Sequence, residues 1–318
     1  MWMRMTRSNL NLRKRRLLPD PAYRGRFAPS PTGPLHFGSL VAAVGSYLEA
    51  KHHHGTWLVR MEDLDAPRTV AGAADDILRT LEAFGLHWDE HVIYQSQRTA
   101  AYESALHQLQ TIGAVYLCAC TRREIADSAL HGIDGQIYPG TCRNGIPAGR
   151  EGRAWRVRSD LLTSPFEFDD GLHGRIVQHL EKEIGDFVVK RADGLFAYQL
   201  AVVVDDAFQN ITHVIRGADL LASTPRQIYL QRLLKLNTPA YIHLPIAVNA
   251  QGEKLSKQTL AAAVDTQNPA AVLLRVLDFL RQNPPAELLN YEPDAILDWA
   301  VAHWNKDSLN GIMQRPAA

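Results

Sequence analysis

Three segments carry residue types that together could manipulate a nucleotide and an amino acid. The first is Arg26-Phe27-Ala28-Pro29-Ser30-Pro31-Thr32-Gly33-Pro34-Leu35-His36-Phe37-Gly38-Ser39-Leu40. It reads as a strand, a proline-stiffened loop and a helix start. A glycine at a helix mouth lets an anion reach the free backbone N–H groups and the positive dipole end, and His36 beside Gly38 can donate to the same oxygens. The second is Val59-Arg60-Met61-Glu62-Asp63-Leu64-Asp65, with three carboxylates at a strand end, where open parallel sheets bind ligands. A carboxylate there can hold an α-ammonium group. The third is Lys254-Leu255-Ser256-Lys257-Gln258, entered through Asn249-Ala250-Gln251-Gly252-Glu253. Two lysines three apart on a glycine-entered loop can close over a triphosphate and stabilise charge on departing pyrophosphate. The chain has neither a Walker A sequence nor a Gly-x-Gly-x-x-Gly opening, so a nucleotide is expected at the first and third segments.

Cys118, Cys120 and Cys142 are the three cysteines, an odd count that fits a reducing compartment better than a disulfide framework. Their short spacing suits a zinc site or free thiols. Tetrahedral closure needs a fourth ligand, which His107, His131, Asp134 or Tyr138 could supply.

These residues need rigid elements to hold them. The pattern predicts strands over Gly25–Ala28 and Thr56–Met61, and helices over Ser39–Ala50, Ala73–Phe84 and Arg98–Ile112. That alternation argues for a parallel, doubly wound sheet. From Tyr116 to Asp186 the texture changes to cysteines, glycines and short alternating strands such as Ala154–Arg158, which predicts an inserted subdomain. Leu195–Asp205 then reads as a buried strand, Thr212–Ile215 as a strand, Ser223–Leu236 as a helix capped by Ser223, and Tyr241–Val248 as a strand. Helices are expected over Pro269–Arg281 and Pro293–Trp304.

At 318 residues with 46% apolar content, the chain can bury a sizeable core. Its 34 basic and 34 acidic residues cancel, which excludes the global positive field of a non-specific nucleic-acid binder; any RNA contact is local. The basic head with Arg4, Arg7, Arg13, Lys14, Arg15 and Arg16 has no apolar core and reads as a disordered extension over residues 1–23. No membrane span or secretory signal is expected, which places the protein in the cytoplasm. The His52-His53-His54 triplet sits at a predicted helix end, where histidines suit the dipole.

The first segment closely resembles the signature of glutamyl-tRNA synthetases, class I enzymes in which a His-Ile-Gly-His motif cradles ATP and a preceding Arg-Phe-Ala-Pro-Ser binds glutamate. Phe37 and Ser39 depart from that motif. The Glu62-Asp63 segment is similar to the family's Arg-x-Glu-Asp, and the lysine loop to its Lys-Met-Ser-Lys-Ser, with Leu255 and Gln258 as departures. The resemblance covers roughly Arg24 to Gln258. It implies that Arg26, Phe27, Ala28, Pro29, Ser30, Glu62, Tyr198 and Arg216 bind glutamate, with the arginine selecting its carboxylate over an amide. It further implies that His36, Gly38 and Lys257 bind ATP, and that His36, Lys254 and Lys257 are catalytic.

Truncated members of that family carry Cys-x-Cys, Tyr and Cys in this order, which makes Tyr138 the fourth ligand of a structural zinc with Cys118, Cys120 and Cys142. The resemblance implies a Rossmann-type sheet in two halves (24–115 and 187–250), a zinc-bearing acceptor-type insertion (116–186), and a lysine loop with a short helical tail (251–318) in place of an anticodon-binding domain. The implied activity is that of an ATP-dependent ligase acting as a monomer. With ATP and Mg²⁺ it activates L-glutamate without tRNA and transfers it to queuosine in the anticodon loop of tRNA(Asp). The alternatives are a minimal conventional synthetase charging the 3′ end of tRNA and a non-tRNA adenylate-forming ligase; a non-catalytic paralogue would have lost His36, Gly38 or Lys257.

Overall fold

A computed structural model of the chain describes residues 22–126, 131–132, 135–162, 165–255 and 262–317. The first part runs β1 (Arg24–Phe27), α1 (Phe37–His52), β2 (Thr56–Met61), α2 (Ala73–Ala83), β3 (Ile93–Tyr94) and α3 (Thr99–Thr111). Both β1–β2 and β2–β3 are parallel, with Arg26 opposite Leu58 and Arg60 opposite Ile93. Parallel pairing forces a crossover, and α1 supplies it. Its apolar positions Leu40, Val44 and Leu48 recur every four residues and are fully buried, while the basic side chains of Lys51 and His52 sit at its negative end. Gly45 lets α1 approach the sheet: a Cβ there would lie 2.5 Å from Leu244 Cδ1.

The middle part holds β4 (Val115–Cys118), α4 (Arg122–Ala126), β5 (His131–Gly132), β6 (Gly135–Gln136), β7 (Ala154–Val157), β8 (Phe166–Asp170), β9 (Gly174–Gln178), α5 (Leu180–Glu183) and β10 (Phe187–Lys190). Here pairing is antiparallel, in the order β10-β7-β4 and in the β8–β9 hairpin.

The parallel pattern then resumes through α6 (Tyr198–Phe208), β11 (His213–Gly217), α7 (Thr224–Leu233), β12 (Ala240–Leu244) and β13 (Ile246–Val248). β11 pairs parallel with β12 and lies beside β1, where Thr212 N donates to Arg24 O at 3.0 Å. β12 meets β8 through Tyr241 and Asp170, which carries Asp170 to the edge of the parallel strands. α8 (Pro269–Phe279) and α9 (Pro293–Ala302) pack on α1, and β14 (Gln314–Pro316) runs parallel to β13. Among the described residues, no helix is long and apolar enough to cross a membrane.

Three sequence expectations are corrected. Leu195–Asp205 contains no strand; Tyr198–Phe208 is the helix α6, because a helix buried on most of its surface carries the same short apolar run as a buried strand. The strand expected over Tyr241–Val248 breaks into two at Pro245, which has no N–H for a ladder. Ser223 precedes α7 without capping it; its Oγ instead accepts from Gln199 Nε2 at 3.3 Å and Arg226 Nη2 at 3.2 Å.

Candidate active site

A cavity of about 940 Å³ opens at the C-terminal ends of β1, β2, β11 and β12, the place where parallel sheets present their loops. Arg26 and Phe27 line it from β1, Ala28, Pro29 and Ser30 from the loop that follows, Glu62 from the residue after β2, Tyr198 from α6 and Arg216 from β11. His36, Gly38 and Lys254 line the same cavity. Every described residue expected to bind glutamate or ATP is therefore gathered here; Ser256, Lys257 and Gln258 lie outside the described residues.

Buried charge organises one wall. The Asp206 carboxylate accepts from Arg26 Nε at 3.1 Å and Arg60 Nη1 at 2.7 Å, and Arg60 Nη2 reaches Glu62 Oε1 at 3.2 Å. Burial opposes ionisation of Asp206, but Arg26 and Arg60 overcome it and hold the carboxyl below its usual range. Glu62 has the opposite outcome: burial raises its carboxyl against the lowering by Arg60 and Arg26. A substrate ammonium group would restore the charged form that burial disfavours.

Arg216 is held differently. Its Nε lies 3.2 Å from His243 Nε2, its Nη1 3.2 Å from the Tyr198 hydroxyl, and its Nη2 2.8 Å from Thr224 Oγ1. Among the described residues its hydrogen-bond partners are all uncharged oxygens or an imidazole. Arg26 and Arg60 each have a carboxylate, so Arg216 is the arginine whose charge remains for a ligand carboxylate.

At α1, His36 takes the N-cap position with extended backbone; its Nδ1 accepts from Ser39 N at 3.3 Å and its Nε2 lies 3.0 Å from Ser39 Oγ. Gly38 lies in this first turn, where a Cβ would sit 3.4 Å from the His36 ring and 3.6 Å from the Leu255 carbonyl, in ordinary contact with both. Lys254 Nζ lies 2.5 Å from Asp219 Oδ2 at the cavity rim.

Sequence reasoning left Asp63 and Asp65 open. Asp63 is structural, accepting from Ser96 N and Oγ at 2.8 and 2.6 Å. Asp65 lines the cavity between Arg68 and Arg191, at 2.7 and 3.1 Å. Arg191, Asp219, Asp206 and His243 were missed, since each reads in isolation as ordinary surface or strand chemistry.

Away from the cavity, Cys118, Cys120 and Cys142 bring their sulfurs within 4.8 Å of one another, and the Tyr138 hydroxyl lies 3.4 Å from Cys118 Sγ and 3.5 Å from Cys120 Sγ. Cys120 and Cys142 sulfurs are 3.7 Å apart. A tetrahedral ion with metal–sulfur bonds of about 2.3 Å holds its sulfurs about 3.8 Å apart and a phenolic oxygen slightly nearer, so three thiols and a phenol fit such an ion. Of the other candidate fourth ligands, His107 is exposed on α3 and outside this group, while Asp134 and the side chain of His131 lie outside the described residues.

Residues 22–271 match the family of class I tRNA synthetases (E and Q), catalytic domain. The chain is 62% identical over 289 residues to a glutamyl-Q tRNA(Asp) synthetase of Dechloromonas aromatica (strain RCB), covering 90% of this chain and 95% of that one. A protein of the same name from Thiobacillus denitrificans (strain ATCC 25259 / T1) is 55% identical over 295 residues, covering 92% and 97%. In fold, the chain is similar to a glutamate tRNA ligase from Elizabethkingia meningosepticum CCUG26117 solved in complex with its amino acid, with a TM-score of 0.74, 22% identity, and coverage of 94% of this chain and 67% of that one.

Proposed function

The chain belongs to the class I glutamate and glutamine tRNA synthetases, within the group of glutamyl-Q tRNA(Asp) synthetases, and on that footing we propose how its residues do the work. The protein is an ATP-dependent ligase that activates L-glutamate and transfers it to queuosine of tRNA(Asp). The observation that carries the reading is that one cavity brings together Arg216, an arginine with no carboxylate partner among the described residues, the His36–Gly38 helix end and Lys254.

Arg216 takes the side-chain carboxylate of glutamate and Glu62 its ammonium group, with Arg26 to Ser30 shaping the pocket. The α-carboxylate attacks the α-phosphorus of ATP in line, a mixed anhydride forms and pyrophosphate leaves. His36 and the N–H groups beside Gly38 hold the phosphates; Lys254 and Lys257 stabilise the departing charge. Mg²⁺ with ATP supplies further charge neutralisation. A hydroxyl of queuosine then attacks the anhydride carbonyl, forming the ester and releasing AMP. Positioning and electrostatics supply the acceleration, so no protein nucleophile is used.

Cys118, Cys120, Tyr138 and Cys142 hold a structural zinc in an acceptor-type subdomain spanning residues 116–186, inserted between the two halves of the nucleotide-binding domain, 24–115 and 187–250. We place the protein in the cytoplasm as a monomer. Glutamate-dependent exchange of labelled pyrophosphate into ATP, with no tRNA present, tests the activation step: exchange specific for glutamate is expected, and its absence would remove the reading.

A further inference from the structure

Arg216 is oriented by a two-residue relay that lies behind the cavity wall. His243 Nδ1 is 2.6 Å from Asp170 Oδ2, and both side chains are fully buried. A carboxylate can only accept and the Arg216 Nε–H can only donate, so the two neighbours leave one arrangement: Nδ1 carries the proton and bare Nε2 faces Arg216 at 3.2 Å. Thr224 Oγ1, 3.1 Å from the same Nε2, is compatible with it. Asp170 is itself fixed, because its Oδ1 accepts from Leu172 N at 3.0 Å and His173 N at 3.1 Å. The fold builds this contact from two distant parts, β8 ending at Asp170 and β12 carrying His243.

We propose that Asp170 and His243 are positioning residues for substrate selection: they aim the Arg216 guanidinium through a neutral imidazole, so that its charge is presented to a carboxylate and not spent on one. This rests on the reading that Arg216 takes the glutamate side chain. An acidic residue in direct contact with Arg216 would fix it equally well but cancel the charge that distinguishes glutamate from glutamine. The relay separates orientation from compensation.

Asp170→Asn makes the relay testable with almost no change in shape. Its oxygen stays with the Leu172 and His173 N–H groups, so its amide N–H₂ turns to His243 Nδ1. The imidazole must then carry its proton on Nε2, which sets two donors against each other at Arg216. His243→Leu removes the acceptor; His243→Gln keeps an acceptor near the Nε2 position.

The experiment is tRNA-independent pyrophosphate exchange with glutamate and with glutamine, on the full chain and the variants D170N, H243L, H243Q and R216L, with thermal melting of each. D170N and H243L are expected to raise the KM for glutamate about tenfold or more and to narrow the preference over glutamine by a similar factor, with the KM for ATP unchanged. H243Q should stay within about threefold of the parent. A folded D170N with parental KM and preference overturns the proposal, as does a fall in kcat shared by H243L and H243Q without a KM change, which marks a merely structural role. If H243L does not fold, D170N decides. If R216L raises the glutamate KM while D170N and H243L do not, the relay alone is wrong; if R216L leaves KM and preference unmoved, the glutamate assignment of Arg216 falls and the relay with it.

Discussion

Lys254 Nζ lies 2.5 Å from the Asp219 carboxylate, which ties the first cation of the lysine loop to the rim of the cavity. Both side chains are partly exposed, at 45% and 31%, so the pair contributes at most about 1 kcal/mol to folding and can be exchanged for a phosphate.

Replacing either lysine of that loop should therefore spare the fold and damage the chemistry. Lys257→Ala is expected to slow adenylate formation by orders of magnitude and Lys254→Ala by about tenfold or more, with melting temperatures near the parent's. Single-turnover formation of glutamyl-adenylate reads this; near-normal rates in the Lys257 variant would contradict the assignment.

Asp206 makes the converse prediction. Its carboxylate serves two buried guanidiniums, Arg26 and Arg60, so Asp206→Ala leaves both without their shared counter-ion. A loss on the order of 3–5 kcal/mol is expected in urea unfolding, far beyond the effect of truncating a surface carboxylate. An unfolding midpoint near the parent's would show that the network matters less than its burial suggests.

Acid sensitivity should begin above the carboxylate range. Burial pushes His243 down to about 4 despite the hydrogen bond to Asp170, from 6.5 in the unfolded chain. The folded value lies below the unfolded one, so between them the unfolded chain binds the extra proton. Stability from this group is complete above about pH 6.5 and is lost progressively toward about pH 4, a change on the order of 3 kcal/mol. Asp170 and Asp206, both held low, extend the loss further down, since their stabilisation is present above the usual carboxylate range and disappears as pH falls through their lower folded values. Urea midpoints at about pH 7, 5.5 and 4.5 should fall in that order, and H243Q should flatten the upper part of the slope.

Metal analysis addresses the thiol cluster. The purified protein is expected to hold about one zinc equivalent, to lose it in Cys118→Ser or Cys142→Ser, and to bind it more weakly in Tyr138→Phe, which removes the phenolic donor while keeping the ring under Arg156. Chelation should lower the melting temperature. Zinc content unaffected by Tyr138→Phe would exclude the phenol as a ligand.

Much of the site is legible in the sequence because local pattern and chemistry coincide there. The segment from Arg26 to Leu40 declares a strand, a stiff loop and a helix start, and the structure has β1, a loop and α1 at those positions. Thr56–Met61 appears as expected because six residues between a turn and a carboxylate cluster admit little else. Legibility ends where tertiary context decides. The run Val202-Val203-Val204 favours a strand by its β-branching, yet lies in α6, whose last turn carries Asp205 to Gln95, Arg98 and Tyr102 and Asp206 to Arg26 and Arg60. His243 is invisible for a related reason. A histidine within an apolar strand carries no mark of the aspartate, seventy-three positions upstream, that sets its tautomer.

The identity of the acceptor is tested most directly by offering the protein labelled glutamate, ATP and Mg²⁺ with three RNAs: tRNA(Asp) containing queuosine, tRNA(Asp) lacking it, and glutamate tRNA. Label on the queuosine-containing pool alone is the expected result. Label on the 3′ end of glutamate tRNA, with none on queuosine, would contradict it.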